Sequence, residues 1–118
     1  MTAKTVLIVD DHPAFRSAAR ALLQAAGFHV VGATADGAST FDAVRALRPD
    51  VILLDVQLPD IDGFTVAEQL ARDQATPAIV FTSSRSTASL RWRLESHPTW
   101  SFIPKNELSG DALAARLV

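Results

Sequence analysis

Val51 to Leu54 is an unbroken apolar run that stops on a carboxylate, Asp55. It follows the turn signal Pro49-Asp50 and precedes the turn-rich stretch Pro59-Asp60-Ile61-Asp62-Gly63. Such a run predicts a strand buried on both faces. No other segment constrains the fold more, because a strand apolar on both faces needs a covering layer on each side. Taken singly, Asp55 reads as a helix cap or a turn residue. Three other apolar runs also end on polar, reactive side chains, and that changes its reading.

Thr5 to Val9 predicts a strand ending at Asp10-Asp11. Pro13 suits the first turn of a helix, and Phe15, Ala18, Ala19, Leu22 and Leu23 keep helical spacing within Ala14 to Ala26, before the stop at Gly27. Phe28 to Val31 reads as a second short strand closed by Gly32. Asp36-Gly37 reads as a turn. A helix carrying Phe41, Val44 and Leu47 follows and ends before Pro49. Beyond the Val51 to Leu54 strand, Phe64 to Ala71 is a helix with Val66, Ala67 and Leu70 on one face. Ala78 to Phe81 is a fourth strand, ending at Thr82-Ser83-Ser84. Ser86 to Glu95 is a weaker helix ended by Pro98. Phe102-Ile103 is the core of a fifth strand, before Pro104-Lys105, and Ser109 caps a last helix carrying Leu113 and Leu117. Five strand–helix units imply α/β architecture, an open parallel sheet with right-handed crossovers and helices on both faces.

The 118 residues favour a single domain over 1–118, with no second domain expected after the last helix. A net charge of -2 gives no general attraction to nucleic acid or to an anionic membrane. The absence of cysteine excludes disulfides, thiol catalysis and cysteine-ligated zinc, and it fits a reducing compartment. No apolar stretch approaches the ~18 residues of a membrane helix, and Met1 to Lys4 lead straight into a strand without a signal peptide. A cytoplasmic protein is the expectation.

In a parallel sheet the residues just past the strands gather along the carboxyl edge, where such sheets bind ligands. This chain places Asp10, Asp11, Asp55, Thr82 and Lys105 there. Two carboxylates ~4 Å apart repel by ~1 kcal/mol in water and ~4 kcal/mol at an intermediate dielectric. Lys105 sets one positive charge against three negative ones. The remainder matches a divalent cation, and an all-oxygen site suits Mg2+ or Mn2+ better than zinc. No two of His12, His29 and His97 sit at a metal-ligand spacing. Carboxylate, cation, hydroxyl and lysine together equip a site for phosphoryl transfer, with an Asp oxygen as nucleophile. Each residue also has a plainer reading: an N-cap pair for Asp10-Asp11, a strand-end hydroxyl for Thr82, a solvated charge for Lys105. Those readings are commoner one by one, but their joint occurrence at four strand ends is not.

At these residues the chain resembles the receiver domain of two-component response regulators over essentially its whole length. The shared motifs are the acidic pair in VDDHP, the Asp in LLDVQLPDIDG, the hydroxyl in VFTSS and the lysine in FIPK. VDDHP and FIPK look most like receivers often joined to helix-turn-helix DNA-binding domains, and KNELSG is similar to stand-alone receivers. The resemblance implies a flavodoxin-like (βα)5 three-layer sandwich with strand order 2-1-3-4-5. It implies Asp55 as phosphoacceptor, Asp11 and Asp55 as direct Mg2+ ligands, the Gln57 carbonyl as a third and Asp10 acting through water. Thr82 and Lys105 would bind phosphoryl oxygens. Phe102 would be the aromatic switch, coupled to the face of the fourth helix, fifth strand and fifth helix. The implied partners are a histidine kinase and a downstream target or DNA-binding output domain, with homodimerisation through the last helices an option. Neither direct nucleic-acid binding nor membrane association is expected.

Pro98-Thr99, Ser101 and Asn106 depart from the residues common in receivers, so Arg85 to Trp100 is the least typical region. Trp92 and Trp100 read as packing residues. Gln57 and Ser84, two positions beyond Asp55 and Thr82, stand where receivers tune dephosphorylation. Two other functions compete. A metal-dependent phosphatase would want an acid at Gln57 and a substrate-covering cap. A phosphorylation-independent interaction module would keep the pocket without the switch.

Overall fold

The computed structural model describes residues 3–73, 77–84, 94 and 100–117. Its strands are β1 (Thr5–Val9), β2 (His29–Thr34), β3 (Val51–Asp55), β4 (Ala78–Ser83) and β5 (Trp100–Pro104). They form one sheet of order β2-β1-β3-β4-β5, every neighbouring pair parallel. The described helices are α1 (Pro13–Ala25), α2 (Gly37–Leu47), α3 (Gly63–Arg72) and α4 (Gly110–Arg116), with a 3-10 turn at Lys105–Glu107. The expected flavodoxin-like arrangement is therefore present. The helix expected over Ser86 to Glu95 lies outside the described residues except for Leu94, as does Trp92. Leu94 packs against the core.

Strand alternation divides the core into two layers. Leu7, Val9, Ile52, Leu54 and Phe81 face α2 and α3, meeting Val44, Phe64, Val66, Ala67 and Leu70. Val6, Ile8, Val51, Leu53, Val80 and Ile103 face the other way, meeting Ala19 and Leu23 of α1 and Leu113 of α4. All five residues of β3 are buried, as its apolar run requires. Each such Val, Leu or Ile contributes about 1.5–3 kcal/mol on leaving water. Trp100 is a packing residue, set edge-on to Phe81 with ring centroids 5.3 Å apart.

Several boundaries differ from the sequence reading by a residue or more, and three have a clear local reason. Strand β2 runs through Gly32 to Thr34 rather than stopping at Gly32. The register slips there, with Val6 opposite Val30 but Leu7 opposite Gly32, so Val31 is an extra residue. A Cβ on Gly32 would lie 2.9 Å from the Leu47 side chain, so this glycine marks a bulge under close packing. Asp36 is not in a free turn but is the N-cap of α2, accepting from the Ser39 N–H at 2.8 Å. Strand β4 continues through Thr82 and Ser83, because Asp55 pairs with Thr82 and Ser83 with Pro104.

Candidate functional site

Each strand end reaches the carboxyl edge by a different local device. Asp10 leaves β1 with its N–H bonded to the Thr34 carbonyl at 3.0 Å, and Arg16 Nη1 donates to the Asp10 carbonyl at 2.7 Å. Both bonds hold the backbone that aims the Asp10 carboxylate. Asp55 and Thr82 are register partners on adjacent strands, so their side chains leave the same face of the sheet. Lys105 begins the 3-10 turn directly after β5.

These devices converge. One ligand atom each from Asp10, Asp11, His12 and Asp55 lies within 4.8 Å of the others. Lys105 Nζ lies 2.6 Å from Asp10 Oδ2 and 3.3 Å from Asp55 Oδ2. Asp10 is fully buried and Asp55 nearly so, while the Asp11 side chain is 37% exposed. The Gln57 N–H donates to Asp55 Oδ1 at 3.1 Å, which turns the chain back over the carboxylate. Thr82 Oγ1 is buried and has no hydrogen-bond partner among the described residues. Phe102 is half-buried on β5 and packs against the layer containing Phe81 and Trp100.

The electrostatics follow from this crowding. Burial, opposed by the Gln57 N–H and reinforced by the Asp10 carboxylate, raises the Asp55 pKa above the usual carboxylate value. Burial works against the Lys105 ammonium, but the Asp10 and Asp55 carboxylates outweigh it and raise its pKa. The donor set fits a hard divalent cation: three converging carboxylates against one lysine, beside a buried hydroxyl unpaired among the described residues.

Four residues at or near the rim were missed by sequence reasoning. His12 was set aside because its histidine spacings are wrong, yet its neighbours Asp10 and Asp11 are the relevant partners. Arg16 and Phe15 read only as helix positions. Phe15 in fact places its ring under Lys105, with Nζ 4.8 Å from the centroid. Asp60 read as a loop residue, but its carboxylate accepts from the N–H groups of Gly37 and Ala38 at 2.8 and 2.9 Å. It thereby ties the loop after β3 to the start of α2.

The fold and its acidic carboxyl rim define a flavodoxin-like α/β protein with a candidate cation and anion pocket. The response regulator receiver domain model matches residues 6–117, and the chain belongs to that family. It is 36% identical over 114 residues to a putative transcriptional regulator of Pseudomonas aeruginosa, covering 96% of this chain and 55% of that protein. It is also 36% identical over 110 residues to a protein-glutamate methylesterase/protein-glutamine glutaminase of Alkalilimnicola ehrlichii, covering 89% of this chain and 28% of that protein. The chain thus spans between about a quarter and just over half of these two relatives. Among solved structures, the receiver domain of the putative response regulator NarL from Mycobacterium tuberculosis superposes with a TM-score of 0.81 at 27% identity, covering 99% of this chain and 98% of that one. No helix among the described residues is long and apolar enough to cross a membrane.

Proposed function

We propose that residues 1–118 act as a phosphoryl-accepting signalling switch, with Asp55 as the acceptor. The observation that carries this reading is the convergence of Asp10, Asp11, Asp55 and Lys105 beside a Thr82 hydroxyl that has no partner among the described residues. A carboxylate oxygen of Asp55 attacks the phosphorus of a phosphohistidine on a histidine kinase, or of a small acyl phosphate. A P–O bond forms to Asp55, and the donor's P–N or P–O bond breaks. The leaving imidazole or carboxylate keeps the bonding electron pair, and the imidazole then takes a proton from water.

Asp10, Asp11, Asp55 and the Gln57 carbonyl would hold a divalent cation, Mg2+ or Mn2+, which supplies neutralising charge for the phosphoryl oxygens. Lys105 binds one phosphoryl oxygen, exchanging its carboxylate partner for the new anion. The Thr82 hydroxyl donates to another, which satisfies a group otherwise buried without a partner. Movement of Thr82 and Lys105 toward the phosphoryl group biases Phe102 inward. A local charge thereby shifts a pre-existing equilibrium at the β5–α4 face, toward a downstream protein or an output domain.

The test is a mass shift of one phosphoryl group after acetyl phosphate treatment, dependent on Mg2+ and mapped to Asp55. A label mapped elsewhere, or none, removes Asp55 as acceptor. Beryllofluoride with Mg2+ should also shift Trp100 fluorescence and the Thr82 and Lys105 amide signals. Silence away from Asp55 would favour a phosphorylation-independent interaction module. The Gln57 side chain, uncharged where a phosphatase of the aspartyl-phosphate type wants its second acid, disfavours an enzymatic reading.

A further inference from the structure

The Lys105 ammonium has three close neighbours among the described residues, and they are not equivalent. Asp10 Oδ2 lies 2.6 Å from Nζ and Asp55 Oδ2 lies 3.3 Å from it. The centroid of the Phe15 ring lies 4.8 Å away. Asp10 and Asp55 both belong to the group of side chains that could hold a metal ion. Once they serve a divalent cation, their charge is shared with it, and the ammonium meets a like charge at close range. The Phe15 ring is no ligand for such a cation, so its attraction for the ammonium persists.

The ring is fixed from another part of the chain. Pro13 opens α1, and Phe15 stands in the first turn behind it. There it is half-buried and packs against the layer containing Ile8, Ile103 and Leu113. Lys105 begins the turn after β5, on a separate element. A lysine has a flexible stem and a strongly hydrated head, so an ammonium released by its carboxylates swings toward water. The Lys105 side chain is 14% exposed, which leaves that route open. An aromatic face anchored against the core opposes the swing without adding a charge of its own.

We propose that Phe15 is a positioning residue for phosphoryl transfer, its ring face holding the Lys105 ammonium at the rim when the carboxylates are committed to a cation. The ammonium then stands ready for an oxygen of the incoming phosphoryl group. This rests on the reading of Asp55 as phosphoacceptor and Lys105 as a ligand of the phosphoryl oxygens. Phe15 acts through Lys105 rather than on the phosphoryl group itself. Leucine at this position would fill much of the same space but has no negative face to present, whereas another aromatic ring keeps that face.

The experiment uses the intact protein and the variants Phe15→Leu, Phe15→Tyr and Phe15→Trp, each first checked for folding by thermal denaturation. Calorimetry measures Mg2+ affinity of the unphosphorylated protein. Acetyl phosphate at saturating Mg2+ measures the rate of Asp55 labelling. The expected result is unchanged Mg2+ affinity throughout, with labelling about five- to tenfold slower in Phe15→Leu and restored by an aromatic replacement. Nuclear magnetic resonance gives a readout independent of labelling, the ring-current shift of the Lys105 Cε protons. That shift should persist in the Mg2+-loaded wild type and vanish in Phe15→Leu. Its loss when Mg2+ binds the wild type overturns the proposal. So does slowing that is equal in the leucine and aromatic variants, or a fall in Mg2+ affinity large enough to explain the slower labelling. If the wild type takes no label on Asp55, the acceptor reading falls and this proposal with it. If the wild type is labelled and Phe15→Leu keeps pace, only the role of Phe15 is lost.

Discussion

Lys105 and Asp10 make the closest charge contact of the rim among the described residues, with the ammonium 2.6 Å from Oδ2 of a fully buried carboxylate. The same ammonium reaches Asp55, so a single side chain from the end of β5 neutralises the ends of β1 and β3. Removing one partner of a buried pair leaves the others uncompensated. Lys105→Ala is therefore expected to cost about 2–3 kcal/mol of stability without divalent cation, and clearly less with it. Urea denaturation with and without Mg2+ measures both values. Equal losses in the two conditions would mean that Lys105 and the cation do not share these carboxylates.

Asp55 carries the opposite sign. Its folded pKa is raised, so between the unfolded and folded values the native state holds a proton that the unfolded state has already released. Ionised Asp55 thus costs stability as pH rises through its unfolded value, and the full cost is present above the folded value. Asp55→Asn removes it. The variant should be more stable than wild type near neutral pH without cation, with a higher Tm. It should also lose all acetyl phosphate labelling. A lower Tm at neutral pH would contradict the electrostatic account.

Gly63 begins α3 directly beneath the site. Its N–H donates to the Val56 carbonyl at 2.7 Å, and a Cβ there would collide with the Asp55 carbonyl oxygen. Backbone cannot yield as a side-chain tip can. Gly63→Ala is expected to cost about 3 kcal/mol or more and to weaken Asp55 labelling in whatever fraction folds. Thermal denaturation near the wild-type value would show that the loop after β3 relaxes freely.

Asp60 sets an acid limit. The N–H groups of Gly37 and Ala38 hold its carboxyl below the ordinary value of 3.8. A depressed carboxylate contributes stability above its unfolded pKa and loses it as pH falls through the folded pKa. Wild-type Tm should therefore drop as pH falls below about 4, and Asp60→Asn should flatten part of that drop. An unchanged slope in Tm measured across this range would remove Asp60 from the acid response.

Phe15 presents its ring to the Lys105 ammonium and packs against the layer between the sheet and α1. Phe15→Leu keeps most of the apolar burial but loses the ring's negative face. A loss of about 1 kcal/mol is expected, and it should disappear when Lys105 is already Ala. A double-mutant cycle by urea denaturation measures that coupling, and an additive result would assign Phe15 to packing alone.

The α/β class and the rim were legible because strand ends in a parallel sheet must share an edge. Once five apolar runs alternated with helical spacing, Asp10, Asp11, Asp55, Thr82 and Lys105 had one place to go. Element ends were less legible. Gly32 looked like a stop, because its role under Leu47 depends on a contact fifteen positions away. Thr82 and Ser83 looked like loop, because what keeps them in β4 is pairing with Asp55 and Pro104.

By itself the sequence determined the order of strands and helices, the buried faces and which reactive side chains terminate strands. Periodicity and turn chemistry are local, and local patterns survive in one dimension. Only the tertiary structure decided that Lys105 chooses Asp10 more closely than Asp55, that Phe15 lies under that ammonium, that Asp60 holds the start of α2, and that His12 faces the carboxylates. The first three are contacts between separate elements, and the last depends on how the chain turns from β1 into α1. They depend on bulges, caps and packing that no residue spacing encodes.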